Sequence, residues 1–226
     1  LLMARGKVKD QMIDGELVYA YAKTDRLGDM EEFTSGTNTA NLQSIGERLY
    51  DERLYKAAKI IYGSIPNNSR LASCHVQLGE FTLAVDIAKK ANNPKTWKEV
   101  TIACVDAQEF RCAQIAGMHI IVHPDHLEEL AAHYEKHGHF EELMSLLDSG
   151  LGNERSHMGM YTELAILYAK YKPERLMDFM KMNTSKLNIS KLINACERHY
   201  LWKEAVFLHT HYDEFDSAAN TMMAHS

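Results

Sequence analysis

The chain has 226 residues, 46% of them apolar and 25% charged, and a formal net charge of −6. That mixture excludes a disordered chain, and the net acidity argues against a nucleic-acid phosphate backbone as ligand. Four prolines and twelve glycines are too few turn residues for a large β architecture.

In chain order, the apolar spacing predicts helices nearly everywhere. Leu42, Ile45 and Leu49 share one helical face after Asn41, and Leu54, Ala57, Ala58 and Ile61 share another. Leu71, Cys74 and Leu78 follow, stopped by Gly79, then Phe81, Ala84, Val85 and Ala88. Asn93 reads as a cap and Pro94 as a first helical residue before Trp97, Val100 and Cys104. Asp125 reads as the cap of a helix carrying Leu127, Leu130 and Tyr134, ended by Gly138. Pro173 opens a helix with Leu176 and Phe179. No proline falls inside a predicted helix, where it would cost about 3 kcal/mol.

These helices repeat in pairs. An aromatic residue followed three positions later by Ala or Leu recurs at Tyr55, Phe81, Phe110 and Phe140, spaced 26, 29 and 30 residues apart. A polar or glycine turn precedes each. A large residue one turn before a small one lets two antiparallel helices meet near their connection. One pair cannot bury both its faces, so pairs stack into a rod. The predicted fold is all-α, an α-solenoid of helical hairpins of about 30 residues, and residues 1–226 read as one continuous section of it. The pattern becomes irregular near 171–200. Tyr171 keeps the spacing but has Glu174 at +3, whereas Trp202 with Ala205 and Phe215 with Ala218 lie 13 residues apart. Either a helix near 186–199 is unpaired or the phase shifts. The chain opens on Leu1 without an initiator and closes in an apolar helical pattern, as a piece of something longer would.

No catalytic chemistry is visible. There is no glycine-rich phosphate loop and no G-x-S-x-G elbow, and the pairs Glu128-Glu129 and Glu141-Glu142 read as solvated helix faces. The chain therefore reads as a non-enzyme with no cofactor and no metal. Cys74, Cys104, Cys112 and Cys196 lack paired spacing and sit in apolar helices, so they read as buried free thiols of a reducing compartment. No apolar run approaches the length of a membrane span. Six of the twelve histidines fall between His119 and His139. His133 and His137 have a zinc-compatible spacing but no evident third ligand, so a proton switch is the sharper reading of this cluster. Residues 125–154 carry eight acidic side chains against Lys136 alone. Residues 165–198 carry seven basic ones, from Lys170 to Arg198, against three acidic. Such a basic strip suits an acidic partner helix.

From Arg70 to Ser226 the sequence resembles the clathrin heavy-chain family, in the proximal part of its leg. The residues that carry the likeness are Arg70-Leu71-Ala72-Ser73, Leu78-Gly79-Glu80, Thr96-Trp97-Lys98-Glu99-Val100 and Ala103-Cys104-Val105-Asp106. They continue with Leu127-Glu128-Glu129-Leu130, Phe140-Glu141-Glu142-Leu143, Thr221-Met222-Met223 and, above all, His157 through Tyr168. Gly15 through Ala20 is similar too, whereas residues 176–187 depart more. The resemblance implies a right-handed α-solenoid, a structural scaffold segment of the coat of coated pits and vesicles, and a role in endocytosis and vesicle transport. It implies a cytosolic location on those membranes without membrane insertion. It also implies two partners, the clathrin light chain and other heavy chains, with the trimer hub outside this stretch. The family's light-chain lysine corresponds to Lys170, beside Lys172 in the basic strip. Its pH-sensitive leg contact corresponds to His119 and His123 in His119-Ile120-Ile121-Val122-His123. A helical-repeat subunit of another vesicle coat or tethering complex is the alternative.

Overall fold

The computed structural model describes residues 10–225. Among them are fifteen α helices, one short 3-10 turn and no strand. The helices are α1 (Gln11–Lys23), α2 (Leu27–Ser35), α3 (Leu42–Asp51), α4 (Tyr55–Ser64), α5 (Asn68–Gln77), α6 (Phe81–Ala91), α7 (Pro94–Asp106) and α8 (Phe110–Ile120). They continue as α9 (Pro124–Lys136), α10 (Phe140–Leu151), α11 (Met158–Tyr171), α12 (Pro173–Asn183), α13 (Ile189–Arg198), α14 (Trp202–His211) and α15 (Phe215–His225). The 3-10 turn, Thr184–Lys186, links α12 to α13.

The chain forms two compact units, one up to Ala116 and one from Gly117. In the first, α3 packs on α4, α4 on α5 and α5 on α6, while α1 also lies against α3 and α2 against α4. In the second, α9 packs on α10, α11 on α12 and α13 on α14, and the first helices of successive pairs stack as α9, α11 and α13. This order of hairpin on hairpin is that of an α-solenoid. The core of the first unit joins Leu17, Val18, Met30, Leu49, Ile61 and Tyr62. The second buries Leu130, Leu143, Leu147, Met160, Leu164 and Leu192.

Two different signals open the helices of a pair. Most first helices begin at a side-chain cap, α9 being the exception. Asn41, Asn67, Asn93 and Asn188 accept from the amides of Ser44, Arg70, Lys95 and Lys191 at 2.9–3.1 Å. Asp10 caps α1 in the same way, accepting from Met12 at 2.7 Å. Each cap satisfies an amide that the helix itself leaves unpaired. The second helices α2, α4, α6, α10 and α14 have no side-chain cap. They begin from a closed turn. A residue with positive φ stands two places before the helix, at Asp25, Arg53, Gly79, Gln108, Gly138 and Tyr200. Asp213 does the same before α15. The amide after it donates across the turn, as from Leu54 to the Leu49 carbonyl at 2.9 Å and from Glu109 to Cys104 at 2.8 Å. That is a Schellman turn, and it fixes how one helix folds back on the last. The aromatic residues of the repeat, Tyr55, Phe81, Phe110, Phe140 and Trp202, are each the first residue of the helix that follows.

Two expectations need correction. The irregularity near 171–200 is neither an unpaired helix nor a phase shift, because α13 pairs with α14 in the ordinary way. Tyr171 does not open a second helix but ends α11, and its ring stacks on Phe140 at 4.2 Å. The helix that should carry an aromatic there, α12, starts with Pro173 instead. Phe215, 13 residues after Trp202, opens the next helix in line rather than the second of a pair. Asp125 is also not the cap of α9. His123 holds that position and Pro124 is the first helical residue, with Asp125 in the first turn. Pro94, Pro124 and Pro173 thus share one role, at a position that needs no amide. The four cysteines are free and buried, as their spacing predicts. Burial pushes the thiols of Cys74, Cys104 and Cys196 up to about 12.

Candidate functional site

The basic strip lies mainly on α11, α12 and α13, and α11 is its centre. That helix opens at His157, whose Nδ1 accepts from the Gly159 amide at 3.2 Å. With Nδ1 accepting, Nε2 carries the proton and donates to the Ile121 carbonyl at 3.0 Å. Gly159 lies against this ring, where an added Cβ would sit 2.9 Å from it. Gly150 of α10 lies closer still, at 2.6 Å by the same measure, to Met160 of α11. The block from His157 to Tyr168 is therefore held by its cap and by close backbone approach.

Lys170 stands in the last turn of α11 and Lys172 follows the helix. Neither is a free cation. Lys170 Nζ donates to both oxygens of Glu135, at 2.8 and 3.0 Å, and Lys172 Nζ pairs with Glu141 at 2.5 Å. A third lysine of the strip, Lys186, donates to the Tyr161 hydroxyl at 3.1 Å and lies 4.7 Å from its ring centre. That ammonium draws the Tyr161 hydroxyl below its ordinary value. The acidic stretch and the basic strip therefore meet across neighbouring hairpins. Periodicity within a single helix could not reveal these pairs, because Glu135 and Lys170 lie 35 residues apart.

The pair Glu135 and Lys170 is one of two rungs between α9 and α11. Seven residues earlier on each helix stand Glu128 and Glu163. Glu163 is half-buried, and its carboxyl is held above the usual carboxylate value. Burial is the main cause, followed by Glu135, with Glu128 adding further; Lys170 and Lys191 oppose it. Beside it runs a groove of about 350 Å³ lined by Leu127, Glu128, Met158, Glu163, Ile166 and Lys191, among others. Sequence reasoning assigned Glu128 to a solvated face and gave Glu163 no role.

The two predicted pH-sensitive histidines are not on one helix. His119 is exposed in the last turn of α8, which ends at Ile120, and His123 is the half-buried capping residue of α9. The ring of His123 meets that of His126 edge to face at 6.3 Å. His133 and His137 lie closer together, with ring centres 4.4 Å apart and His137 Nδ1 2.9 Å from the His133 carbonyl oxygen. No helix among the described residues is long and apolar enough to cross a membrane.

An all-α chain of stacked hairpins with closed turns, and with its charge on helix faces, is a helical-repeat protein of the α-solenoid class. A family model described as "Region in Clathrin and VPS" matches residues 1–112 and 118–226, and the chain belongs to that clathrin repeat family. Over its whole length it is 57% identical to clathrin heavy chain 1 of Oryza sativa subsp. japonica. It is 56% identical to clathrin heavy chain 1 of Arabidopsis thaliana and 53% to the clathrin heavy chain of Dictyostelium discoideum. The chain spans 13% of the length of each of these relatives.

Proposed function

We propose that this stretch is one continuous section of the proximal leg of a clathrin heavy chain, and that it works as a structural scaffold of the coat rather than as an enzyme. Identity of 57% across the whole chain to a clathrin heavy chain is the observation that carries the reading. In it, the faces of the stacked hairpins meet the light chain and neighbouring heavy-chain legs. Lys170 and Lys172 receive acidic side chains of the light chain. Each lysine ammonium has three N–H donors, so one already held by a glutamate can still bind a second carboxylate. Leg contacts that respond to mild acidification run through His119 and His123, since histidine changes charge in that range. The protein then acts on the cytosolic face of coated pits and vesicles, in endocytosis and intracellular transport.

Co-purification of the full-length heavy chain with a clathrin light chain tests the first contact. Lys170→Glu with Lys172→Glu should cut light-chain affinity at least tenfold at moderate salt, and an unchanged affinity would remove the assignment. For the second, His119→Gln with His123→Gln in the full-length trimer should flatten the pH dependence of cage assembly. Assembly that still follows pH as before would rule these histidines out.

A further inference from the structure

The role proposed above leaves one pair of side chains unused. His133 and His137 stand four residues apart at the C-terminal end of α9, His133 half-buried in the last turn and His137 exposed as the capping residue. Four residues make about one turn, so the two side chains share a face. Their ring centres are 4.4 Å apart, against 6.3 Å for His123 and His126. A ring nitrogen of each lies within 4.8 Å of one on the other. Spacing alone left this pair without a third ligand, but the orientation of His137 is a second and independent observation. The His133 carbonyl accepts from the His137 amide at 3.3 Å and lies 2.9 Å from His137 Nδ1. A carbonyl oxygen can only accept, so Nδ1 carries the ring proton and Nε2 keeps its lone pair. An imidazole that donates from one nitrogen to a backbone carbonyl and offers a lone pair on the other is oriented as metal-bound histidines are.

We propose that His133 and His137 form a binding site for a divalent transition-metal ion such as zinc. Nε2 of His137 and a ring nitrogen of His133 are the two protein ligands, and water completes the coordination. Zn–N bonds of about 2.0–2.1 Å put the two nitrogens at most about 4 Å apart. A small rotation of the exposed His137 side chain supplies that distance. Imidazole nitrogen suits zinc, copper and nickel, whereas magnesium and calcium take oxygen ligands. The ion also sits at the negative end of the α9 dipole, where a cation is favoured. Bound there, it ties the last turn of α9 directly ahead of the closed turn at Gly138 that leads into α10. The site holds the end of one helix and the entry to the next. It needs no light chain and is independent of that reading.

Hydrogen exchange read by mass spectrometry tests it, on the full-length heavy chain stripped of metal and then given zinc sulfate. Zinc at about ten times its dissociation constant should slow exchange over residues 133–139 roughly tenfold. Magnesium sulfate should leave exchange there unchanged. His133→Gln and His137→Gln should each abolish the zinc effect, and equilibrium dialysis should find one zinc ion fewer per chain. His137→Cys should keep the effect, because a thiolate also binds zinc. Exchange without zinc shows whether a variant keeps α9 folded. Should a Gln variant loosen that helix by itself, the wild type and His137→Cys still decide, and protection by zinc in neither overturns the site. Protection that survives both Gln variants places the ion elsewhere and overturns it too, as does an equal response to magnesium.

Discussion

Glu163 is a side chain held against its electrostatic preference. Its carboxyl titrates above the ordinary value because burial and the neighbouring Glu135 disfavour the charge. A group raised in this way stabilises the fold most when it is protonated. That contribution is complete below the unfolded value and is lost as pH rises through the folded one. Glu163→Gln should therefore raise the melting temperature at pH 7 and lose its advantage near pH 4; equal gains at both would contradict the assignment. Tyr62 is a second residue held against its preference. It is fully buried, and its hydroxyl has no hydrogen-bond partner among the described residues. Burial pushes that hydroxyl up to about 12. Tyr62→Phe removes an unsatisfied polar group and should stabilise by about 1 kcal/mol in denaturant titrations. Gly46 lies on the same ring, where an added Cβ would come within 2.9 Å. Gly46→Ala should cost about 1–3 kcal/mol, because a buried ring has little room to move.

At the scale of the element, the closed turn is the recurring part. Five of the seven positive-φ turn positions carry a residue other than glycine. For Arg53, Gln108 and Tyr200 the left-handed conformation costs roughly 1–2 kcal/mol each. Gln108→Gly should raise stability by up to about 1 kcal/mol, and Gly138→Ala should lower it by a similar amount. Thermal melts of the two variants compare them directly. Two of the turns are also clasped by side chains, with His75 Nδ1 2.6 Å from Glu80 and His209 Nδ1 2.7 Å from Glu214. Much of this was legible in sequence. The aromatic residues mark the helix starts because they follow a turn of fixed length, and Asn93 with Pro94 marks another because caps are local chemistry. The pairing of α13 was not legible, since α12 lacks the aromatic signal and a proline does its work. The capping role of His157 was hidden as well, because histidine is an uncommon cap. From the residues themselves the candidate site was legible as a sum of charges, and Lys170 was singled out by the family resemblance. Its partners lie a whole hairpin away, and stacking geometry alone brings them together.

Across the molecule, the contacts described are local in sequence, each hairpin meeting the next within its unit. Stability in such an array is close to a sum of hairpin terms and neighbour terms. Disturbance should therefore stay near its source. Gly46→Ala should speed hydrogen exchange in α3, α4 and α5 and leave α13 and α14 as they were, measured by mass spectrometry. Uniform acceleration would mean that the chain unfolds as one. The net charge of −6 behaves similarly, as a total that conceals local balance between Glu135 and Lys170 and between Glu141 and Lys172. The shared turn has one more consequence, for how such a chain can change length. Each helix residue added or removed rotates everything beyond it by about 100°. A single-residue insertion between the turn at Gly79 and the core residues Ala84 and Val85 would swing those two out of the core. Loss or gain of a whole hairpin, cut at two matching turns, returns the next helix to the same rotation. Lineages of this repeat should therefore lengthen or shorten in steps of about thirty residues, with smaller gaps confined to the looser links before α11 and after α12.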